Sequence, residues 1–299
     1  MYKRQVKESK AGGEHSYDIP GVITATLGLF SLVYGFNRAA TVGWTANETI
    51  TLLVSAIALL TIFVIIELKV RNPLMPMRVL LERNRGGSYL SSLFIGAGIF
   101  SMFLFLGIYL QTVLGYSPLK SGFAFLPFTL GLVFAAATAS KMLPKIGPRP
   151  LMVPGLIMSA TGLLLLTRIT PETSYMTHVL PVISFGLGLV FIPSASTSLH
   201  GIGNQDAGVA SALVNTSQQV GGSLGTALLN TIAATSTAAY IKSHGELGPK
   251  LLHSAMTHGF TVVFKCSAAL LVVGAVVIFF FINIGKEAIV ETEGAAVGH

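Results

Sequence analysis

Eight uncharged runs divide the chain, and they constrain its fold more than any single motif. They extend from about Ile19 to Phe36, Ile50 to Ile66, Gly86 to Thr112, Gly122 to Ser140, Leu151 to Leu166, Val179 to Ser198, Gly208 to Thr235 and Gly259 to Ile284. The one charged residue inside them is Lys265. Crossing a bilayer core as a helix takes about 20 predominantly apolar residues. None of the runs alternates between lipid-facing and lumen-facing residues as a barrel strand must, and all but the fifth clearly exceed barrel-strand length. The expected fold is therefore all-α, a polytopic transmembrane helix bundle. Composition agrees: 10% of residues are charged, against about a quarter in a soluble domain, and the mean hydropathy is +0.72. An ordinary soluble enzyme, a disordered tail and a disulfide scaffold are excluded. The lone Cys266 cannot form an internal disulfide.

The net charge of +7 invites a nucleic-acid reading until the cations are located. With the N-terminus inside, the inner segments hold Lys3, Arg4, Lys7, Lys10, Lys69, Arg71, Arg78, Arg83, Arg85, Lys141, Lys145, Arg149 and Lys286. The outer segments hold Arg38, Lys120, Arg168, Lys242 and Lys250. Cationic loops are retained at the cytoplasmic face, so the excess is a topology signal. It implies a lipid partner, no nucleic acid, a plasma-membrane location and two cytoplasmic termini. Lys265 lies about two turns from the end of its run, where snorkelling accounts for it.

The seventh run is rich in Ala, Gly, Ser, Thr and Asn, and loop charge does not decide whether it crosses. The uncharged stretch from Ala207 to Ile241 favours a span, as do Gly221 and Gly225, spaced so that membrane helices can approach closely. A re-entrant or interfacial helix is the alternative. On the same helix Asn215, Gln219, Thr226 and Asn230 fall near one stripe, with Gly222 beside it. Polar side chains at membrane depth face protein or a water-filled cavity. Interhelical hydrogen bonding and a substrate-facing wall are both open readings.

The chain opens without the apolar core of a signal peptide. Met-Tyr-Lys-Arg-Gln is what GTG-TAT-AAG-AGA-CAG encodes from a GTG start, a string resembling the end of a transposase-based sequencing adaptor. Residues 1–5 are expected to be a library scar, or otherwise a genuine basic tail, and residues 1–17 a cytoplasmic linker.

Several motifs occur in a fixed order: Asp18-Ile-Pro-Gly21; Glu67 with Asn72-Pro-Leu-Met-Pro-Met-Arg78 and Glu82-Arg-Asn-Arg85; Tyr109-Leu-Gln-Thr-Val-Leu-Gly-Tyr-Ser-Pro118 with Ser121-Gly122 and Leu126-Pro127; Gly147-Pro-Arg149; and Asp206-Ala-Gly-Val-Ala-Ser211 with Asn215, Gln218-Gln-Val-Gly-Gly222 and Gly225-Thr-Ala227. The ordered set resembles the EmrB/QacA-type drug:proton antiporters of the major facilitator superfamily, the branch with fourteen spanning helices. The resemblance implies helices seven to fourteen: a two-helix insert over 18–66, a cytoplasmic loop over 67–85, a six-helix C-terminal domain over 86–284 and a tail over 285–299. It also implies that an N-terminal half, bearing the proton-coupling acids, is missing.

The resemblance further suggests where substrate sits. The third and sixth runs correspond to cavity-lining helices, placing Tyr109, Gln111, Phe191 and Ser194 among substrate-cavity candidates with Asn215, Gln218, Gln219 and Thr226. Gln218 stands where many relatives carry arginine. Gly221, Gly222 and Gly225 are candidates for helix packing. Lys141, Lys145, Gly147 and Arg149 occupy an inner loop, as a gate latch or as plain charge anchors to lipid headgroups. His200 and Asp206 bracket the next inner loop. Trp44 and Tyr34 are placed as interfacial anchors.

Neither a metal-ligand spacing, a phosphate-binding glycine loop nor a catalytic triad stands out, so no cofactor and no enzyme activity are expected. The expected function is the C-terminal portion of a proton-motive exporter of small hydrophobic or cationic compounds, inactive without its missing half. The alternative is a stand-alone non-transporting membrane protein, such as a receptor or assembly partner.

Overall fold

The computed structural model describes residues 18–70, 73, 75–170, 179–203, 206–244 and 248–285. The expectations placed on 1–17, with the scar at 1–5, on Arg71, Asn72 and Leu74, and on the tail from Lys286 onward lie outside the described residues. Every regular element among them is helical: α1 Ile19–Val42, α2 Asn47–Lys69, α3 Met77–Leu81, α4 Arg83–Ile108, α5 Pro118–Ala124, α6 Leu126–Ile146, α7 Arg149–Leu166, α8 Val179–Leu199, α9 Ala207–His244 and α10 Pro249–Phe281. A π-helical turn at Tyr109–Val113 follows α4.

Local sequence sets where these helices start and stop. Asp18 caps α1, its carboxylate accepting the Gly21 N–H at 2.9 Å, with Pro20 in the first turn where its missing N–H costs nothing. Ser117 caps α5, and Pro118 opens it. α6 ends at Gly147, whose φ of 81° lies in the left-handed region and whose N–H returns to the Leu143 carbonyl at 2.9 Å. Pro148 and Pro150 then flank the start of α7.

Glu82 caps α4 by accepting the Arg85 N–H at 2.9 Å, and it takes a second bond from the Asn84 side chain. Partial burial acts to raise the Glu82 pKa, but the Arg85 and Asn84 donors and the Arg85 guanidinium outweigh it and hold the group below its ordinary 4.5. A depressed folded pKa means that the cap contributes fully above the unfolded value and is lost as pH falls through the lower folded value. Glu82→Ala is expected to cost about 1 kcal/mol at pH 7, the usual worth of an N-cap. The deficit should shrink as the pH falls below the ordinary value; thermal unfolding of both proteins at pH 7 and in mild acid measures it.

Seven helices among the described residues are long and apolar enough to cross a membrane, α5 and α6 counting together as one such stretch. The less apolar α9 is lodged among the others, packing along α4, α10 and α1. As one unbroken helix of 38 residues it leaves no room for a re-entrant turn. At 1.5 Å per residue it is about 57 Å long, nearly twice the hydrocarbon core. α9 and α10 thus run past the boundaries expected at Thr235 and Gly259. Their ends stay paired, with Tyr240 stacked on His244 at 4.0 Å and 5.0 Å from the ring of His258. The reason is local: neither 236–244 nor 250–258 contains a glycine or proline to break the helix, so the limit of hydrophobicity is not the limit of the helix.

Within the six long helices that follow the linker, α8 packs along α6 and α7, while α4 lies between α9 and α10, and α10 closes onto α7. Large side chains such as Met102, Phe105, Leu156, Leu180 and Phe264 fill the centre and are 2% exposed or less. Lipid is as apolar as leucine, so close packing and interhelical hydrogen bonds must hold such a bundle together. Both are present. Ser159 Oγ donates across to the Ile183 carbonyl at 2.9 Å, and Ser88 Oγ lies 2.9 Å from Ser194 Oγ. The α1–α2 hairpin joins the bundle through α1, and Trp44 at its tip donates from Nε1 to Thr231 Oγ at 3.2 Å.

Candidate substrate groove and inner-face loops

The C-terminal half of α1 and the N-terminal third of α9 border an open groove of about 490 Å³. α9 contributes Asn215, Thr216 and Gln219, which a spacing of three and four residues puts on one face. α1 contributes Phe30, Tyr34 and Asn37 at the same spacing, with Leu29 and Val33 between them. The Phe30 and Tyr34 rings stack with centroids 5.6 Å apart and planes 12° apart. Asn215 donates from Nδ2 to the Ser211 carbonyl at 3.2 Å, whereas the carboxamides of Asn37 and Gln219 make no hydrogen bond among the described residues. No charged side chain lines the groove. Arg38, the next residue along α1, is engaged by Glu48.

The other cavity candidates fall elsewhere. Tyr109 is 1% exposed in the core, and its hydroxyl donates to the Thr170 carbonyl at 2.9 Å. Gln111 is exposed in the π turn. Ser194 is buried between α8 and α4 beside Ser88 and Ser92, and Phe191 packs half-buried against the core. Thr226 bonds back to the Gly222 carbonyl at 2.8 Å, within its own helix. The α9 stripe therefore divides. Asn215 and Gln219 face the groove, while Thr226 lies outside its lining.

Gln218 sits at the contact of α9 with α4, where its carbonyl meets Gly96. At the same seam a Cβ on Gly221 would collide with the Leu93 carbonyl, one on Gly225 with Ala97, and one on Gly222 with the Phe100 ring. At Gly221 and Gly96 backbone meets backbone with no side chain between, the geometry that small residues permit in membrane helices, while Gly222 makes room for the Phe100 ring.

On the inner-loop residues, Lys141 and Lys145 are exposed, and Gly147 makes the positive-φ turn already described. Arg149 lies over the Phe279 ring at 4.1 Å, tying α7 to α10. The stronger set of contacts lies in the linker. Arg85 Nη1 donates to the His200 carbonyl at 3.1 Å, Nη2 to the Arg78 carbonyl at 2.9 Å and Nε to the Val79 carbonyl at 3.1 Å. Arg78 pairs with Asp206 at 2.7 Å. Together these bind the linker around α3 to the loop between α8 and α9. Sequence reasoning counts Arg78 and Arg85 as topological charge only, and the pairing across more than a hundred residues leaves no periodic signal.

The described residues thus form a bundle of helices long and apolar enough to cross a membrane, with a largely apolar groove between α1 and α9 into which a few neutral polar groups project. The chain belongs to the Major Facilitator Superfamily, whose sequence profile matches residues 14–226. It is 39% identical over 297 residues to the puromycin resistance protein pur8 of Streptomyces alboniger, covering 97% of this chain and 59% of that protein. It is 33% identical over 231 residues to the cephamycin export protein CmcT of Amycolatopsis lactamdurans, covering 76% of this chain and 48% of that one. The chain thus spans between about half and three-fifths of these relatives. The fold is similar to that of a bacterial homologue of the human lysosomal transporter Spinster in an inward-facing, unoccupied conformation, with a TM-score of 0.53 at 14% identity over 90% of this chain and 69% of that one.

Proposed function

We propose that the chain is the C-terminal portion of a proton-driven exporter of small hydrophobic or cationic compounds. It resides in the plasma membrane with both termini cytoplasmic and moves its cargo chemically unchanged. The observation that carries this reading is the pair Asn215 and Gln219, carboxamides exposed about two and three turns into α9, a helix that packs among membrane-crossing helices. Polar side chains at such depth face protein or a water-filled cavity, and a cavity wall is what alternating access between two domains requires. The names of the relatives, puromycin resistance and cephamycin export, support an outward-directed drug cargo. Their greater length supports a second, N-terminal domain as the working partner, with the proton gradient as energy source and no bound cofactor.

Inverted membrane vesicles energised by a pH gradient test this reading, cellular efflux appearing there as uptake of dye into the vesicle lumen. Vesicles carrying the chain alone are expected to export no ethidium. Vesicles that also carry the N-terminal portion of pur8 are expected to show efflux that an uncoupler abolishes. Robust efflux from the chain alone would remove the need for a second domain, and efflux indifferent to the uncoupler would remove the proton coupling.

A further inference from the structure

We propose that the insert hairpin is part of the binding site: α1 supplies, through Phe30, Tyr34 and Asn37, the second wall of a groove for a planar aromatic amphiphile, neutral or singly cationic. This rests on the exporter reading for α9 and extends it to a helix outside the six-helix domain.

Both helices of the hairpin expose apolar side chains, α1 through Ile19, Val22, Ile23 and Leu27, but only α1 adds a face toward α9. α2 presents Ile50, Val54, Ile57, Ile62 and Leu68, an apolar surface of the kind lipid covers. α1 turns a stacked aromatic pair and a carboxamide toward α9. Asn37 lies next to Arg38, two residues from the end of the apolar stretch Ile19–Ala39, so water or headgroups can reach it; what marks this face of α1 is that Asn37 shares the groove lining with the stacked Phe30 and Tyr34 rings and with Gln219. Packing does not account for the carboxamide either, since the residue is exposed and this group makes no hydrogen bond among the described residues.

The lining specifies the chemistry of the occupant. A volume of about 490 Å³ suits a drug-sized molecule. The aromatic pair offers ring faces to a flat π-system, and such faces also attract a cation. Asn37, Thr216 and Gln219 offer neutral donors and acceptors. An acyl chain would fill the space but leave those groups unpaired, which disfavours it. No carboxylate or guanidinium lines the groove, so a ligand recognised through multiple charges does not fit.

Ethidium, a planar monocation with aromatic amines, is the probe. Its affinity for the purified chain in lipid nanodiscs is read by fluorescence, and photoactivated ethidium monoazide maps the site by mass spectrometry. Tyr34→Ala is expected to weaken binding about fivefold through loss of the stacked face, and Asn37→Leu about tenfold through loss of a hydrogen-bonding partner. Tyr34→Phe should retain near-normal affinity, and Val54→Ala on the apolar face of α2 should change nothing. Adducts are expected in peptides containing both 29–37 and 215–220. Because Phe30, Tyr34 and Asn37 are exposed, these variants should elute as the parent does in size exclusion. If Gln219→Leu weakens binding while Tyr34→Ala and Asn37→Leu do not, the α1 wall is overturned and the exporter reading of α9 stands. If none of the three matters, or if a phospholipid co-purifies in the groove and ethidium does not displace it, both fall.

Discussion

Gly221→Leu is expected to leave almost no folded protein after detergent extraction. At Gly221 the backbones of α9 and α4 meet directly, and any Cβ would overlap the Leu93 carbonyl. The obstacle is main chain on a rigid helix, not the movable end of a side chain, so relief requires the helices to separate. The neighbouring contacts at Gly225 against Ala97 and at Gly96 against the Gln218 carbonyl belong to the same seam, and separating one opens all. Overpacking in a well-filled core costs about 1–3 kcal/mol and sometimes more; a full leucine between two backbones belongs above that range, at roughly 4 kcal/mol. Gly221→Ala should cost about 2 kcal/mol by the same reasoning. Gly208 supplies the control. It lies in the first turn of α9, and a Cβ added there would meet no atom within 4 Å, so Gly208→Ala should be neutral or slightly stabilising. Fluorescence-detected size exclusion with a temperature ramp ranks the three variants.

The second large effect is expected at Arg85. Its guanidinium serves three carbonyls, at Arg78, Val79 and His200, while its side chain is only 11% exposed. Hydrogen bonds to charged groups contribute about 1.5–3 kcal/mol each, and removal takes the donor from the part-buried Val79 and His200 carbonyls and from the exposed one at Arg78. Shared geometry makes the three bonds less than additive, so Arg85→Ala should cost about 3 kcal/mol. Arg85→Lys should recover little, since an ammonium cannot present the planar fork that reaches three directions. Arg78→Ala provides the contrast: the Arg78 side chain is 74% exposed in its pair with Asp206, and exposed pairs contribute about 0–1 kcal/mol. Limited trypsin digestion distinguishes local from global loss. For Arg85→Ala, cleavage should accelerate at Arg78 and Arg83 before the transmembrane helices are cut.

The number of long helices was legible in the sequence because it depends on one local quantity, the length of chain without charge. All eight runs correspond to long helices, α9 included despite its polar composition. The ends were less legible. Where α9 and α10 continue beyond Thr235 and Gly259, hydrophobicity stops while helix propensity does not. The π turn at Tyr109–Val113 has no compositional signal; only Gly115, with φ of 66°, marks the chain reversal that follows. Of the candidate cavity residues, Asn215 and Gln219 were legible as a stripe on one helix. Their companions on α1 were not, because periodicity describes the face of a helix and not what it faces. Tyr34 and Gln219 are 185 positions apart in the chain (219 − 34). Tyr109 misled for a similar reason: an aromatic near a helix end suits an interface, a cavity or a core equally well, and the Thr170 carbonyl that claims its hydroxyl lies in a different loop.

The chain contains a single tryptophan, and Trp44 bridges from the tip of the hairpin to Thr231. Its emission is therefore an intrinsic, single-site optical reporter on the junction between the α1–α2 hairpin and α9, with no background from other indoles. A change in how the hairpin sits on α9, whether from substitution, acidity or an aromatic compound entering nearby, should appear as a shift in wavelength or anisotropy of the unlabelled protein.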